Sequence, residues 1–386
     1  MDKNSVIFIF TIVAIIAVST MVFMYGKGYN FNRETKTLEK TGMIVVKSQP
    51  DSARVYLNGA LHKQNTTTSI ANLKSGIYNL KIERDGYTSF QKDVPVKEEY
   101  ATEITAVLVP LNPELKPLTT SGAGNPLFTS TRDKIVFLTR DRDKPGIWSL
   151  NLAGNIFSMF KGNIDVLVPD QIRAAFSLAD GFYLSPNDEQ ALVTMNKAGY
   201  YMLDLTVSRV VPQATSSTES VFSVWDKVSK ERKLALLNGT RVPGSFQNVA
   251  TDSATVWSPD EKRFLYGVGN QENVEYHVYD TSDPLGIGEK DDNVTVTIPK
   301  TQKSKLTWYS DSRHLIISTC EQETPAQTCI SGNIRLIRVD GTNNTLVYSG
   351  ALSELSVFPT PDGTKIIILT SFNTSSLPNL YAIILR

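Results

Sequence analysis

The chain has 386 residues, enough for two or three domains, and its 39 basic and 39 acidic residues cancel. That balance leaves no basic stripe for nucleic acid, so no nucleic-acid partner is expected. Three histidines (His62, His277, His314) and two cysteines (Cys320, Cys329) leave little material for metal or nucleophile chemistry, and no cofactor or catalytic residue is expected.

The first element, within 1–25, is an uncharged run of 20 residues from Val6 to Tyr25, about the length that crosses a bilayer as a helix. Lys3 precedes it and Lys27, Arg33 and Lys36 follow, a difference that does not by itself orient an exported body. Two readings compete, an uncleaved anchor and a signal peptide cut near Ala17-Val18-Ser19. The apolar run continues through Met21, Val22, Phe23 and Met24, which favours the anchor. A polar tether, 26–41, comes next.

From Gly42 to Pro110 the pattern becomes short alternating runs, M-I-V-V-K-S, A-R-V-Y-L-N, Y-N-L-K-I-E-R and T-E-I-T-A-V-L-V, separated by Q-P-D-S, N-G and D-G turn signals. This predicts a small all-β domain over 42–110. The stretch 111–126, with its prolines followed by Gly and Ser, reads as a semi-rigid linker.

The block from Gly42 to Gly59, G-M-I-V-V-K-S-Q-P-D-S-A-R-V-Y-L-N-G, and that from Leu73 to Tyr87, L-K-S-G-I-Y-N-L-K-I-E-R-D-G-Y, resemble the PEGA family of β-sandwich modules. The naming tetrad stands here as Pro50-Asp51-Ser52-Ala53, different at its second and third positions. The resemblance implies an extracytoplasmic adhesion or wall-associated module and carries no catalytic residues.

From 127 to 386 a unit recurs: a turn of the S-P-D-x type, an apolar strand, a variable segment and a second strand. Its turns start near Ser130, Ser185, Ser258, Ser310 and Thr360, mostly about 50 residues apart, the spacing of four-stranded propeller blades. The longer gap after Ser185 holds Trp225 to Gly239, which reads as a degenerate sixth copy. The region resembles Tol-type propeller repeats, carried best by Ser258-Pro259-Asp260 and Pro361-Asp362-Gly363. The expected fold is therefore all-β: a membrane helix, a PEGA-like sandwich and a propeller of about six blades.

Pro186, Pro259, Asp260, Pro361, Asp362 and Gly363 are expected to be turn residues. Proline presets φ and the carboxylates bond nearby backbone N–H groups, so Asp188, Asp260, Asp311 and Asp362 need no chemistry to explain them. These turns are expected at the end away from any ligand. Asp141 to Gly146 starts like a calcium loop but has Leu152 where a bidentate Glu is required, which predicts a hairpin turn. Gly267 to Glu272 lacks the third glycine of a dinucleotide fingerprint and is expected to be a loop. His277 and His314 sit in strand patterns, and His62 in a polar loop. Tyr200, Tyr201, Tyr276 and Tyr279 suit core packing, with sugar stacking as an alternative.

Cys320 and Cys329, nine residues apart across an expected hairpin, read either as a disulfide of an oxidising compartment or as two unrelated buried thiols. A zinc site falls short of four ligands. Sequons at Asn65, Asn238, Asn293, Asn343 and Asn373 are expected by chance in this composition.

No G-x-S-x-G, H-E-x-x-H or Walker sequence occurs. The expectation is a non-enzymatic single-pass membrane protein with an extracytoplasmic body that binds a protein or cell-envelope glycan. The alternatives are a propeller lyase or hydrolase acting through central-channel residues, and a periplasmic accessory of an envelope transport machine.

Overall fold

A computed structural model describes residues 3–26, 29–32, 37–152, 164–171, 174–195, 199–207, 210–240, 242–282, 292–324, 329–371 and 377–386. Lys27, Arg33, Lys36 and the sequon at Asn373 lie outside them. Two compact units divide near Leu111.

The first unit opens with helix α1, Lys3–Gly26. Its stretch Ile7–Met24 is long and apolar enough to cross a membrane, and none of it is buried by the protein. The tether that follows holds a small antiparallel pair, Tyr29–Asn32 with Thr37–Lys40.

Two sheets then face each other. One is ordered Thr68–Leu73, Gly42–Gln49, Ala101–Val107; the other is Ala60–Leu61, Arg54–Leu57, Gly76–Glu83, Phe90–Val96. The period-2 runs explain this, since inward residues such as Ile44, Val46, Val55, Leu80, Ile82 and Phe90 form one apolar core. Gly42 is required by contact: a Cβ there would sit 2.3 Å from the Lys97 carbonyl oxygen.

The second unit is a β-propeller with five four-stranded antiparallel sheets among the described residues. Inner to outer, blade 1 is Gly124–Phe128, Lys134–Thr139, Gly146–Asn151 and Ile164–Pro169. Blade 2 is Gly181–Leu184, Gln190–Met195, Gly199–Asp204 and Gln213–Thr215. Blade 3 is Val256–Trp257, Arg263–Gly269, Asn273–Asp280 and Asp292–Pro299. Blade 4 is Ser304–Trp308, His314–Glu323, Cys329–Arg338 and Thr345–Leu352. Blade 5 is Val357–Pro359, Lys365–Thr370, Asn379–Ile384 and, outermost, Glu114–Pro117.

That last strand corrects the linker expectation for 111–126. Glu114–Pro117 pairs with the chain's final strand, Leu115 opposite Ile383, so the two ends of the propeller close on one blade. The prolines misled because an edge strand tolerates Pro117.

The second strand of each blade is a continuous apolar run because both its faces are covered. In blade 5, Ile367 and Leu369 pack with Ile135 and Phe137 of blade 1, while Ile366 and Ile368 are buried on the other face. Blades 1 and 2 share a core of Val136, Leu138, Phe182 and Val193 around Phe176. Leu265 and Val278 of blade 3 meet Trp308 and Leu315 of blade 4.

Between blades 2 and 3 the rule changes. Trp225 to Gly239 is not a sixth blade: Thr218–Leu237 is helix α2, followed by helix α3, Gly244–Thr251. The stretch contains no Gly or Pro until Gly239, ends in the strong helix formers K-E-R-K-L-A-L-L, and starts at Ser217, whose hydroxyl accepts from Ser220 N–H at 3.3 Å. Its Trp and charged residues imitate a blade sequence but lack the turn signal a hairpin needs. On one side Leu237, Val242 and Ala250 pack on Trp257, Phe264, Tyr266 and Tyr279 of blade 3. On the other, Phe222 meets the Tyr183 ring of blade 2 edge to face at 5.1 Å.

Cys320 and Cys329 are joined across the hairpin of blade 4, their Cα atoms 5.8 Å apart. Asp141 to Gly146 is a hairpin turn in which Asp141 accepts from the N–H groups of Asp143 and Lys144. Gly267 and Gly269 belong to a strand, and only Asn270 to Glu272 form the expected loop.

Replacing Cys320 and Cys329 together by Ser is expected to lower unfolding stability by about 2–3 kcal/mol, the loop-closure contribution of a short ring. Urea unfolding of wild-type protein with and without reductant checks this; an unchanged midpoint on reduction would show that the pair is not bonded.

Candidate binding site

Five turns join inner strands to second strands, and they are built alike. In each, the N–H of the fourth residue donates to the carbonyl of the first: Arg132 to Thr129, Asp188 to Ser185, Glu261 to Ser258, Ser312 to Tyr309 and Gly363 to Thr360, at 2.8–3.3 Å. The fourth residue has positive φ every time, between 57° and 65°. Where the first residue is Ser or Thr, its hydroxyl accepts from the N–H five residues on, as in Arg263 to Ser258 at 3.0 Å and Lys365 to Thr360 at 3.1 Å. Asp260 and Asp362 accept from those hydroxyls at 2.6 Å, and Pro186, Pro259 and Pro361 take the second position.

This register moves two copies by one residue. The turns of blades 1 and 4 begin at Thr129 and Tyr309, so Ser130 and Ser310 stand where the other copies have proline. Asp188 is likewise not the counterpart of Asp260; Asn187 is. Asp188 instead accepts from both the N–H and the hydroxyl of Ser130 in blade 1, at 2.7 and 2.5 Å.

The turns also hold one another. Ser312 receives the Asp260 N–H on its hydroxyl at 3.0 Å, and the Tyr309 hydroxyl donates to the Gly363 carbonyl at 2.5 Å. Asp311 is buried against His314, 2.6 Å from its Nδ1. Burial pushes the Asp311 carboxyl up, but the His314 ring and the N–H groups of Arg313 and His314 together outweigh it and hold it below the ordinary 3.8.

The inner strands enclose a channel with a cavity at each end. The first, about 400 Å³, lies between four inner strands and the residues just ahead of them. Blade 1 contributes Asn125, blade 2 Tyr183 with Asp180 before it, blade 4 Lys305, and blade 5 the preceding Glu354. Lys305 donates to the Ser356 hydroxyl at 2.9 Å. Burial raises the Glu354 carboxyl, opposed by the Lys305 charge and by the Asn125 N–H. Tyr183 keeps 43% of its surface exposed. Carboxylates, an amide, an ammonium and an aromatic ring around one opening can hydrogen-bond hydroxyls and cover an apolar ring face.

The second cavity, about 500 Å³, opens at the turns. Helix α2 rather than a blade borders it and brings Arg232, Lys233 and Leu236 beside Pro186, Trp257, Pro259 and Pro361. From Phe222 at Tyr183 to Leu236 here, α2 runs about 21 Å at ~1.5 Å per residue, so it reaches from the inner strand of blade 2 to this cavity.

Neither cavity is lined by a histidine. His277 lies in blade 3 beside Tyr266 and Asp292, and His314 is buried. Tyr201 and Tyr276 pack in the cores between blades, Tyr279 packs between blade 3 and the helical segment, and Tyr200 is exposed on blade 2. The tyrosine lining the first cavity is Tyr183, which the alternating tyrosine runs do not mark. Among the described residues no group of three His, Cys, Asp or Glu could hold a metal.

Residues 41–112 match the PEGA domain family. A search of curated proteins finds no match. Among solved structures, TolB from Acinetobacter baumannii is 14% identical with a TM-score of 0.26, over 79% of this chain and 59% of that one. The chain thus spans about three fifths of that TolB. Oligogalacturonate lyase from Vibrio parahaemolyticus is 8% identical with a TM-score of 0.28, over 72% of this chain and 94% of that one. Similarities of this size bear on neither cavity. The match and the five sheets define a chain with a PEGA domain and a β-propeller, with one helix among the described residues long and apolar enough to cross a membrane.

Because Asp311 is depressed in the fold, it contributes stability above its unfolded value of 3.8 that is lost as pH falls through its folded value. Asp311→Asn is expected to cost about 1–3 kcal/mol at pH 6, the range for charge-assisted hydrogen bonds. The gap to wild type should narrow as pH drops below 3.8, read from urea midpoints across pH 3–6. A gap independent of pH would contradict this.

Proposed function

We propose that this chain is a membrane-anchored extracytoplasmic binding protein whose propeller holds a cell-envelope glycan between its inner strands. The observation that carries this is the first cavity, where Asp180, Asn125, Lys305, Glu354 and the exposed Tyr183 converge from four blades. Its volume lies within the roughly 300–1,000 Å³ of small-ligand sites. The helix α1, the PEGA domain match and the Cys320–Cys329 bond support an anchored body in an oxidising compartment.

A catalytic reading draws on the same place, since Asp180 and Glu354 share the cavity and a carboxylate pair is what glycoside cleavage uses. The binding reading expects retention without turnover.

Full-length protein in detergent micelles, incubated with solubilised envelope glycans, is expected to retain them. Asp180→Asn combined with Glu354→Gln should weaken retention by roughly tenfold or more, the loss of about 1.5–3 kcal/mol per charged hydrogen bond, with the thermal midpoint little changed. Shortened glycan products that vanish in the double variant would replace binding by catalysis. Equal retention by both proteins would contradict the site.

Orientation has its own test. Protease added to intact cells is expected to degrade the propeller and leave α1 with the membrane. A propeller spared until the cells are broken would place the body on the inner side.

A further inference from the structure

We infer that the turn-side cavity is a second binding site, one for an apolar residue bearing a free carboxylate, as at a peptide C-terminus, with Arg132 as its anchor. The inference rests on reading the propeller as a binding module, but it concerns the opposite end of the channel and different residues.

Arg132 is the cation among the five fourth-position residues. Asp188, Ser312 and Gly363 are each bonded by the turn of the preceding blade. Arg132 instead reaches from blade 1 towards blades 3 and 4, where its guanidinium donates to the Trp257 carbonyl at 3.2 Å and the Trp308 carbonyl at 3.4 Å. Neither contact is short, and a guanidinium has five N–H donors.

Among the described residues Arg132 has no carboxylate within ion-pair distance, whereas Arg232 is paired with Glu261 at 3.0 Å and Arg263 with Asp280 at 2.7 Å. Burial accordingly lowers the Arg132 guanidinium to about 10, with no anion opposing it. A charge taken part-way out of water with two carbonyls and the Phe128 ring but no anion for company is costly, and an incoming carboxylate would offset that cost while matching the planar fork.

The cavity is lined by more cations than acids. Arg132, Arg232 and Lys233 line it against one acid, Glu261. With Arg232 already paired, Arg132 and Lys233 remain. Lys233 spends two donors on the Asp252 and Thr255 carbonyls, at 2.6 and 2.8 Å, and has a third.

Pro186, Pro259, Pro359, Pro361, Trp257 and Leu236 share the rest of the wall with hydroxyl residues, of which Ser130, Thr131, Thr255 and Ser258 already donate to Asp188, Asp133, the Val249 carbonyl and Asp260. A polyhydroxylated acid finds few partners there, while an apolar side chain next to a carboxylate is covered on both counts.

The test is calorimetric titration of the full chain in detergent micelles with N-acetylphenylalanine, its amide, and glucuronate. The acid is expected to bind, and the amide and glucuronate at least roughly tenfold more weakly, the factor carried by one charge-assisted hydrogen bond. Arg132→Gln should abolish the preference for the acid over the amide, and Arg132→Lys should keep part of it. Because Arg132 also ties blades 3 and 4 to blade 1, Ser310→Asp serves as a second variant that places a competing carboxylate in the cavity wall. It should weaken the acid and not the amide. Equal binding of acid and amide to wild type, no binding of either, or an unchanged preference in both Arg132→Gln and Ser310→Asp would overturn the assignment. Glucuronate binding as tightly as N-acetylphenylalanine would overturn the apolar carboxylate in favour of an acidic sugar. Asp180→Asn with Glu354→Gln should leave this titration unchanged, so failure of the glycan site and failure of this one are separable.

Discussion

At the end of each inner strand, a residue with positive φ is held because its N–H caps a turn while its own strand pairs on both sides of that turn. An L-residue pays for that backbone region, so each copy has a compensating bond: the Ser or Thr hydroxyl on the returning N–H, or Asp311 on His314 in blade 4. The same residues are then gripped by the preceding blade in three of the five turns. These bonds fix the spacing of the inner strands, and the width of the channel follows from that spacing. Everything assigned to the cavities depends on this ring of turns.

The succession of blades is interrupted between blades 2 and 3, and the interruption is informative. Between blades 2 and 3 the helices α2 and α3 supply the apolar faces that a sixth blade would have supplied, Ala250 and Leu237 covering Phe264 and Trp257. A helix covers a sheet face but sends no turn to the rim. The turn end is therefore bordered by Arg232, Lys233 and Leu236 rather than by a sixth loop. A basic, partly apolar opening results at one end, and a polar, mixed-charge one at the other.

Much of this was legible in the residues. Lone apolar runs such as K-I-I-I-L-T announce strands covered on both faces, and the recurring Ser-Pro-Asp places the turns. The PEGA block is legible through its glycines and its period of two. The helical filler was not, because Trp225 and the K-L-A-L-L-N-G ending imitate a blade when only spacing is counted. Glu114–Pro117 was hidden too, since its partner lies at the other end of the chain and no local pattern announces the pairing. The channel residues had a faint signal: Asn125, Asp180, Lys305 and Glu354 stand four, five, four and six residues ahead of Thr129, Ser185, Tyr309 and Thr360. Arg132 had a clearer one. It is the cation among fourth-position residues that are otherwise Asp, Glu, Ser and Gly, but the comparison needs the one-residue shift that only the hydrogen bonds supply.

The central claim is that the propeller works through its channel and not through its outer strands. A photo-crosslinking amino acid placed at Tyr183, in the channel, or at Leu346, exposed on the outermost strand of blade 4, tests it in living cells. Envelope adducts are expected from position 183 and none from 346; adducts from 346 alone would contradict binding through the channel.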